Sequence, residues 1–562
     1  MKLSRALLAA AVGLCLMVPA TPAFAYIPED QDQTPATEAE IAEALANGDI
    51  DTDVSQFDNG IATYAATDYA VRTLGGSDRY ETSAKQALYA FPRTSTAIVA
   101  SGAGYADSIC AAGLAGALDC PIILTEPGSV GSVTSNALKS MGVTDIILLG
   151  SETVASKQVE NQLRSIVGSN GSVERVWGED RYATQMAVYE YGVEHGLWTG
   201  NTVVAASAEG FADALSVSPV SFKLKAPVIY IDGSLTFPEE QEQVIRGDLK
   251  NKNFILTGST VVTSAAAEKL LGSVGSGSVV RLGGSDRYLT SEAISKYAVS
   301  SLGMSWNNVA FTSGTAPYDA LGGGPVQGGE NSVLLLKEET DPKSSIGFPF
   351  SSVSRMKFFG DAAIYSGAFK TRCALALGFD LTDIEGFRLY LDAGHGNGSN
   401  GTSAYDPGAT AADGTAEAAL TSDLADRVAN VLRNQYGLQV YVNKDGWYKT
   451  RQAEAYALDC GALVSIHFNA YNGSASGTES YIHSYNNAYT SDILQNRVHD
   501  DLVSAMGLSD RGKKRQELAV LGGNLPATLL EICYIDNRSD LNAYYAKRDA
   551  VASAIARGIA EG

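Results

Sequence analysis

Apolar and polar positions follow two distinct rhythms along this chain. From residue 96 to about residue 260, short apolar runs at 96–100, 146–149, 202–206 and 254–256 alternate with longer stretches of helical spacing. Runs that short, apolar at nearly every position and often closed by glycine (Gly150, Gly258), are what strands buried on both faces require. Strand alternating with helix predicts α/β units on parallel sheets. A second block begins near residue 387. Residues 387–391 alternate as a strand does, 462–466 and 527–530 are short apolar runs, and Leu420, Leu424, Val428, Val431 and Leu432 recur at helical spacing. That pattern predicts one further α/β domain, with Glu417 in or just before the first turn of a helix.

The start of the chain differs from both blocks. Lys2 and Arg5 precede an apolar stretch at 6–18, and Ala23-Phe24-Ala25 follows as a small-residue cleavage pattern. This reads as a secretory signal, too short to span a membrane comfortably. Cys15 follows Leu14, where lipid attachment wants a small residue. The mature chain has no second apolar run of spanning length. Residues 26–70 are rich in Asp, Glu, Thr and Ala and read as an acidic spacer with one apolar-spaced patch, Ile41, Ala44 and Leu45.

The region after the spacer repeats itself. Arg72-Thr73-Leu74-Gly75-Gly76-Ser77-Asp78-Arg79-Tyr80 recurs as Arg175-Val176-Trp177-Gly178-Glu179-Asp180-Arg181-Tyr182 and as Arg281-Leu282-Gly283-Gly284-Ser285-Asp286-Arg287-Tyr288. The copies are spaced by the length of a small domain, not of a solenoid unit. A second motif follows in each unit: Tyr105-Ala106-Asp107, Phe211-Ala212-Asp213 and Tyr318-Asp319-Ala320. Asp78, Asp180 and Asp286 stand where a helix-start cap belongs, and that structural reading outweighs a ligand-binding one. No Gly-x-Gly-x-x-Gly or Walker pattern follows a strand, which excludes nucleotide binding.

The chemistry lies in the last third. The chain has five histidines. Two of them, His395 in Asp392-Ala393-Gly394-His395-Gly396 and His467 in Ser465-Ile466-His467-Phe468-Asn469, end strand-like runs. Glu531 ends another, and strand ends of open α/β sheets are where ligands bind. Two histidines and one glutamate with an open position make a catalytic zinc site, and a further carboxylate can take a proton from bound water. Each residue alone has a structural explanation, but a buried unpaired glutamate between Leu530 and Ile532 is costly.

These motifs carry a resemblance. Residues 387–562 resemble the zinc-dependent N-acetylmuramoyl-L-alanine amidases of the family-3 type, which cut the amide between muramic acid and the peptide stem of peptidoglycan. The matching positions are Asp392 to Gly396, then Asp406-Pro407-Gly408-Ala409 with Gly414 and Glu417. Ser465 to Ala470 and Pro526 to Glu531 with Asn537 complete the match. By this resemblance His395, Glu417 and His467 hold Zn2+ and Glu531 is the catalytic carboxylate, while Arg451 and Asn469 are substrate contacts. The sequence departs from the family in a longer loop at 397–405, and in Asn443-Lys444 where Thr-Arg is common.

The three units resemble the type-2 cell-wall-binding repeat, which holds exported enzymes of Gram-positive bacteria to an anionic wall polymer. The third unit is glycine-rich after Asp319 and departs most from the pattern. The expected organisation is a signal at 1–25, the spacer at 26–70, repeats at 71–170, 171–277 and 278–383, and a zinc amidase domain at 386–562. The expected fold is α/β, with three tandem parallel-sheet units and a mixed or parallel sheet in the enzyme. The expected activity is peptidoglycan hydrolysis by a secreted, wall-anchored autolysin. Two other readings stay open: a zinc peptidase or carboxypeptidase on wall peptides, and a surface-binding protein whose hydrolase domain is inactive.

Composition narrows the partners. A net charge of −22 over 562 residues argues against nucleic acid. It also sits awkwardly with an anionic polymer, leaving Arg79, Arg181 and Arg287, bridging cations, or hydrogen bonds to sugars to do the holding. Of six cysteines, Cys15 leaves with the signal, so five remain and cannot all pair. They read as small buried hydrophobes.

Overall fold

The computed structural model describes residues 33–53, 57, 69–339 and 353–561. The expected secretory signal at 1–25 lies outside the described residues.

The repeat region builds three four-stranded parallel sheets. The first has the order Ile122–Thr125, Thr96–Ser101, Asp145–Leu149, Ser172–Val176, and the second the order Val228–Ile231, Thr202–Ser207, Asn253–Thr257, Val279–Leu282. In both, the strand that leads into an Asp-Arg-Tyr motif is the edge strand of the preceding unit's sheet. The third sheet is completed from the far end of the region: Val71–Thr73 pairs in parallel with Met356–Phe359, Val71 opposite Met356. The three units thus exchange edge strands cyclically. An apolar run reveals that a strand is buried, not which sheet takes it, so this exchange is invisible in the sequence.

The repeated motifs sit at the junctions. The carboxylates of Asp78, Asp180 and Asp286 cap the helices Arg79–Ala90, Arg181–Glu194 and Arg287–Ser301, accepting from backbone N–H groups of the first turn. Each neighbouring arginine bridges two units. It donates to a loop carbonyl of its own unit, Gly102, Ala208 or Gly314. It also lies over an aromatic ring of the preceding one. Arg79 stands 3.5 Å from the centre of Tyr318, Arg181 5.7 Å from Tyr105, and Arg287 5.6 Å from Phe211. Arg79 on Tyr318 closes the cycle. Such cation–π contacts contribute about 0.5–2 kcal/mol each.

The C-terminal domain is a six-stranded sheet with strands β1 (Arg388–Ala393), β2 (Gln439–Asn443), β3 (Ala462–Asn469), β4 (Thr478–Ile482), β5 (Asp510–Arg515) and β6 (Ala527–Tyr534). Their order is β2-β1-β3-β6-β4-β5, all parallel except where β4 runs against β6. The sheet is therefore mixed. Its pleat divides the core. Leu389, Leu391, Val464, Ile466, Leu530 and Ile532 pack with helices α1 (Glu417–Tyr436), α3 (Ala488–Met506) and α4 (Arg538–Ala560). Tyr390, Leu463, Leu529 and Tyr481 face the other way, toward α2 (Arg451–Ala457) and the turn Ala519–Leu521.

Two distant segments complete that second layer. Ala368, in the last helix of the repeat region (Gly367–Ala376), is buried in it, and so is Phe57 of the N-terminal segment. The Asp51 backbone N–H donates to Glu454 on α2 at 3.0 Å, and Arg388 lies over the Phe57 ring. The stretch read as an acidic spacer is therefore partly docked, its helix Glu38–Asn47 set off by a capping box at Thr37 and Glu40. Among the described residues no helix is long and apolar enough to cross a membrane. The five cysteines among the described residues are buried and unpaired.

Candidate metal centre

Three strand ends and one helix start converge. His395 follows β1, His467 lies on β3, Glu531 sits on β6 directly beside His467 in register, and Glu417 is the first residue of α1. Donor atoms of His395, Glu417 and His467 all lie within 4.8 Å of one another. The Glu417 carboxylate stands between the rings, with Oε2 3.1 Å from His395 Nε2 and Oε1 3.1 Å from His467 Nδ1. The backbone N–H groups of Ala409 and Phe468 donate to its two oxygens at 2.9 Å each. A carboxylate at a helix start is also favoured by the helix dipole.

Glycines make the approach possible. A Cβ on Gly394 would stand 2.3 Å from the His467 ring, and one on Gly408 would stand 2.6 Å from the His395 ring and 2.7 Å from Glu417. His395 itself has φ +69, a left-handed backbone that costs about 1–3 kcal/mol and is typical of functional sites. Two hydrogen bonds hold this turn: His395 Nδ1 with Asp406 Oδ2 at 2.9 Å, and Thr421 Oγ1 donating to the Gly394 carbonyl at 2.7 Å. Asp406 lies in the quoted Asp-Pro-Gly-Ala motif, yet its pairing with His395 could not be read from spacing.

Electrostatics separates the carboxylates. Burial opposes ionisation of Glu417, but His395 and His467 outweigh it and hold its pKa below the usual carboxylate range. Burial also disfavours a charged His395, yet Glu417 and Asp406 raise its pKa well above the usual value. Glu531 is pushed well upward, first by burial and then by the charges of Glu417 and Glu479. Its Oε2 is buried without a hydrogen-bond partner. Two imidazoles and a carboxylate ringed this closely can hold a metal ion, and an orphaned acid beside them fits a proton carrier.

Two expected substrate contacts are placed elsewhere. Arg451 is 2% exposed, its guanidinium committed to Asp392 Oδ1 at 2.8 Å and the Asp445 carbonyl at 2.5 Å. Asp392 in turn accepts from Ser465 Oγ at 2.6 Å, two residues before His467. Arg451 thus braces the strands under the site, because a buried guanidinium needs internal acceptors. Asn469 is buried as well and donates to Glu479 Oε1 at 2.9 Å. Sequence reasoning missed Glu479, which carries no motif and stands opposite Glu531 in the β4–β6 ladder.

The structure thus joins a mixed α/β domain with a histidine–glutamate cluster at its strand ends to three parallel-sheet units. Comparison with known families makes this specific. The family described as N-acetylmuramoyl-L-alanine amidase matches residues 389–561, and cell wall binding domain 2 matches residues 73–160, 175–268 and 281–367. The chain belongs to the N-acetylmuramoyl-L-alanine amidase family and carries three cell wall binding domain 2 repeats. It is similar to the N-acetylmuramoyl-L-alanine amidase LytC of Bacillus subtilis, 26% identical over 487 residues that span 85% of this chain and 90% of that one. The uncharacterized protein YqiI of Bacillus subtilis is 31% identical over 182 residues, 31% of this chain and 84% of YqiI. Among solved structures, Cwp6 from Clostridium difficile is similar with a TM-score of 0.49 and 22% identity, covering 88% of this chain and 79% of that one.

Proposed function

We propose that the protein is a secreted, zinc-dependent amidase that cleaves the bond between N-acetylmuramic acid and L-alanine in peptidoglycan. On this reading the three repeats hold it noncovalently to an anionic polymer at the surface of a Gram-positive bacterium, where it serves wall turnover. The proposed boundaries are 71–170, 171–277 and 278–383 for the repeats and 386–562 for the enzyme. One observation carries the reading: the donor atoms of His395, Glu417 and His467 within 4.8 Å of one another, beside Glu531, whose Oε2 is buried without a hydrogen-bond partner.

His395, Glu417 and His467 are the residues that would hold zinc. When bound there, the ion supplies Lewis acidity and lowers the pKa of a water toward about 7. Asp406 fixes the His395 ring through Nδ1, leaving Nε2 for the ion. Glu417, bonded to two backbone N–H groups, keeps one orientation and so fixes the site's third donor. Glu531 accepts a proton at the attacking water and returns it to the leaving amine. Glu531 is itself buried on β6, which limits its contact with bulk water.

The test is digestion of purified muropeptides by the full chain, with metal content measured on the same sample. Stoichiometric zinc and free lactyl-muramic acid with intact peptide stems support the amidase. Release of terminal amino acids alone would point to the peptidase instead, and wall binding without any product to the inactive surface protein.

A further inference from the structure

The row of side chains that begins at the metal centre continues to the edge of the sheet. His467 on β3, Glu531 on β6 and Glu479 on β4 stand side by side across three strands. The next strand, β5, is the edge, and its register against β4 shifts between Thr478 and Ser480. Gly512 carries the irregularity with φ +93. In an unbroken strand Arg511, Lys513 and Arg515 would share one face.

The irregularity separates them. Lys513 and Arg515 pair with Asp500 and Asp492 of α3, each at 2.7 Å. Arg511 joins Lys514 on Glu479 instead, with Nε 2.8 Å and Nζ 2.6 Å from the same Oε2. Bulges that re-aim a side chain are over-represented beside active sites.

Glu479 is fully buried, and its other oxygen accepts from Asn469 Nδ2 at 2.9 Å and the Tyr481 hydroxyl at 2.7 Å. One oxygen of Glu479 therefore faces two cations, Arg511 and Lys514. The Arg511 side chain is 23% exposed, and its Nη2 makes no hydrogen bond among the described residues. Strands lie about 4.8 Å apart, which puts Arg511 roughly 10 Å from Glu531. An extended peptide covers that distance in about three residues.

We propose that Arg511, supported by Lys514, is an anion subsite beside the metal centre that receives a carboxylate of an acidic peptide stem, two to three residues beyond the scissile amide. The proposal rests on the amidase reading and adds the direction in which the stem runs, along the sheet toward β5. A guanidinium nitrogen such as Nη2 meeting a carboxylate gives a charge-assisted hydrogen bond, corresponding to about tenfold to a hundredfold in affinity.

Two soluble muropeptides test it, identical except that the second stem residue carries a free carboxylate in one and a primary amide in the other. The full chain is expected to favour the carboxylate by about tenfold or more in kcat/KM, mainly through KM. In Arg511→Gln that ratio falls close to one. A wild-type ratio near one, or a ratio that Arg511→Gln leaves unchanged, overturns the subsite while cleavage of both substrates keeps the amidase reading intact. If the wild type cleaves neither muropeptide, the amidase reading itself fails and the subsite falls with it. Should Arg511→Gln lose its fold by circular dichroism, the wild-type ratio is followed from low to high salt. It shrinks if the contact is ionic, and a salt-independent ratio rejects the proposal.

Discussion

The metal centre is set by what small residues allow as much as by the groups that would bind. Gly394 lies against the His467 ring and Gly408 against both His395 and Glu417, so Gly394→Ala must push His467 away. We expect this substitution to weaken zinc binding by about 10–100-fold, read by competition with a chelator, while circular dichroism stays unchanged. Glu531→Gln is expected to keep the metal and lower kcat by about 10²–10⁴-fold on soluble muropeptides; undiminished turnover would reject the proton-carrier role. The four central residues were legible because each ends a strand-like run or starts a helix inside a recognisable motif. Glu479 and the His395–Asp406 pairing were not, since their roles depend on partners the fold supplies. Arg451 was legible as a position, but nothing in its spacing tells a buried brace from a group that meets substrate.

Elements tell a similar story in the repeats. Strand positions followed from apolar runs and helix starts from capping aspartates, whereas the exchange of edge strands depends on which sheet edge stands nearest. The second repeated motif gains a physical reading here. Burial pushes the carboxyls of Asp107 and Asp213 up to about 6, with Arg181 and Arg287 opposing. A carboxyl whose folded pKa is raised destabilises the fold above that pKa and has no such effect below the unfolded value of about 3.8. The penalty therefore develops between about pH 4 and pH 6 and is complete by pH 8. Asp107→Asn and Asp213→Asn are accordingly expected to raise the melting temperature at pH 8 and leave it nearly unchanged at pH 4, as measured by calorimetry. An equal shift at both pH values would show that ionisation is not the cause.

For the whole molecule, the enzyme is not a detachable module. Its second core layer needs Ala368 and Phe57, and the last repeat helix is tied to it by Gly367 N–H donating to Asp459 Oδ1 at 2.6 Å and by Arg372 donating to the Asn524 carbonyl. Removing residues 71–379 would strip that helix along with the repeats. A fragment of residues 361–562 is expected to fold more stably than one of residues 387–562, with a higher midpoint in urea. Phe57→Ala should cost about 2–3 kcal/mol, lowering the melting temperature of the full chain by several degrees. The sequence could not announce this, because residues 26–70 are mostly polar and acidic, yet among the described residues of that stretch Ala44, Ile50 and Phe57 are buried.

The strand Val71–Thr73 has one more neighbour. It lies between Met356–Phe359 on one side and the connection into the enzyme on the other, where the Glu385 N–H donates to the Val71 carbonyl at 2.9 Å. The chain thus enters and leaves the repeat region at one corner, like the two ends of a buckle. A pull that separates those two ends has to break the Glu385–Val71 hydrogen bond.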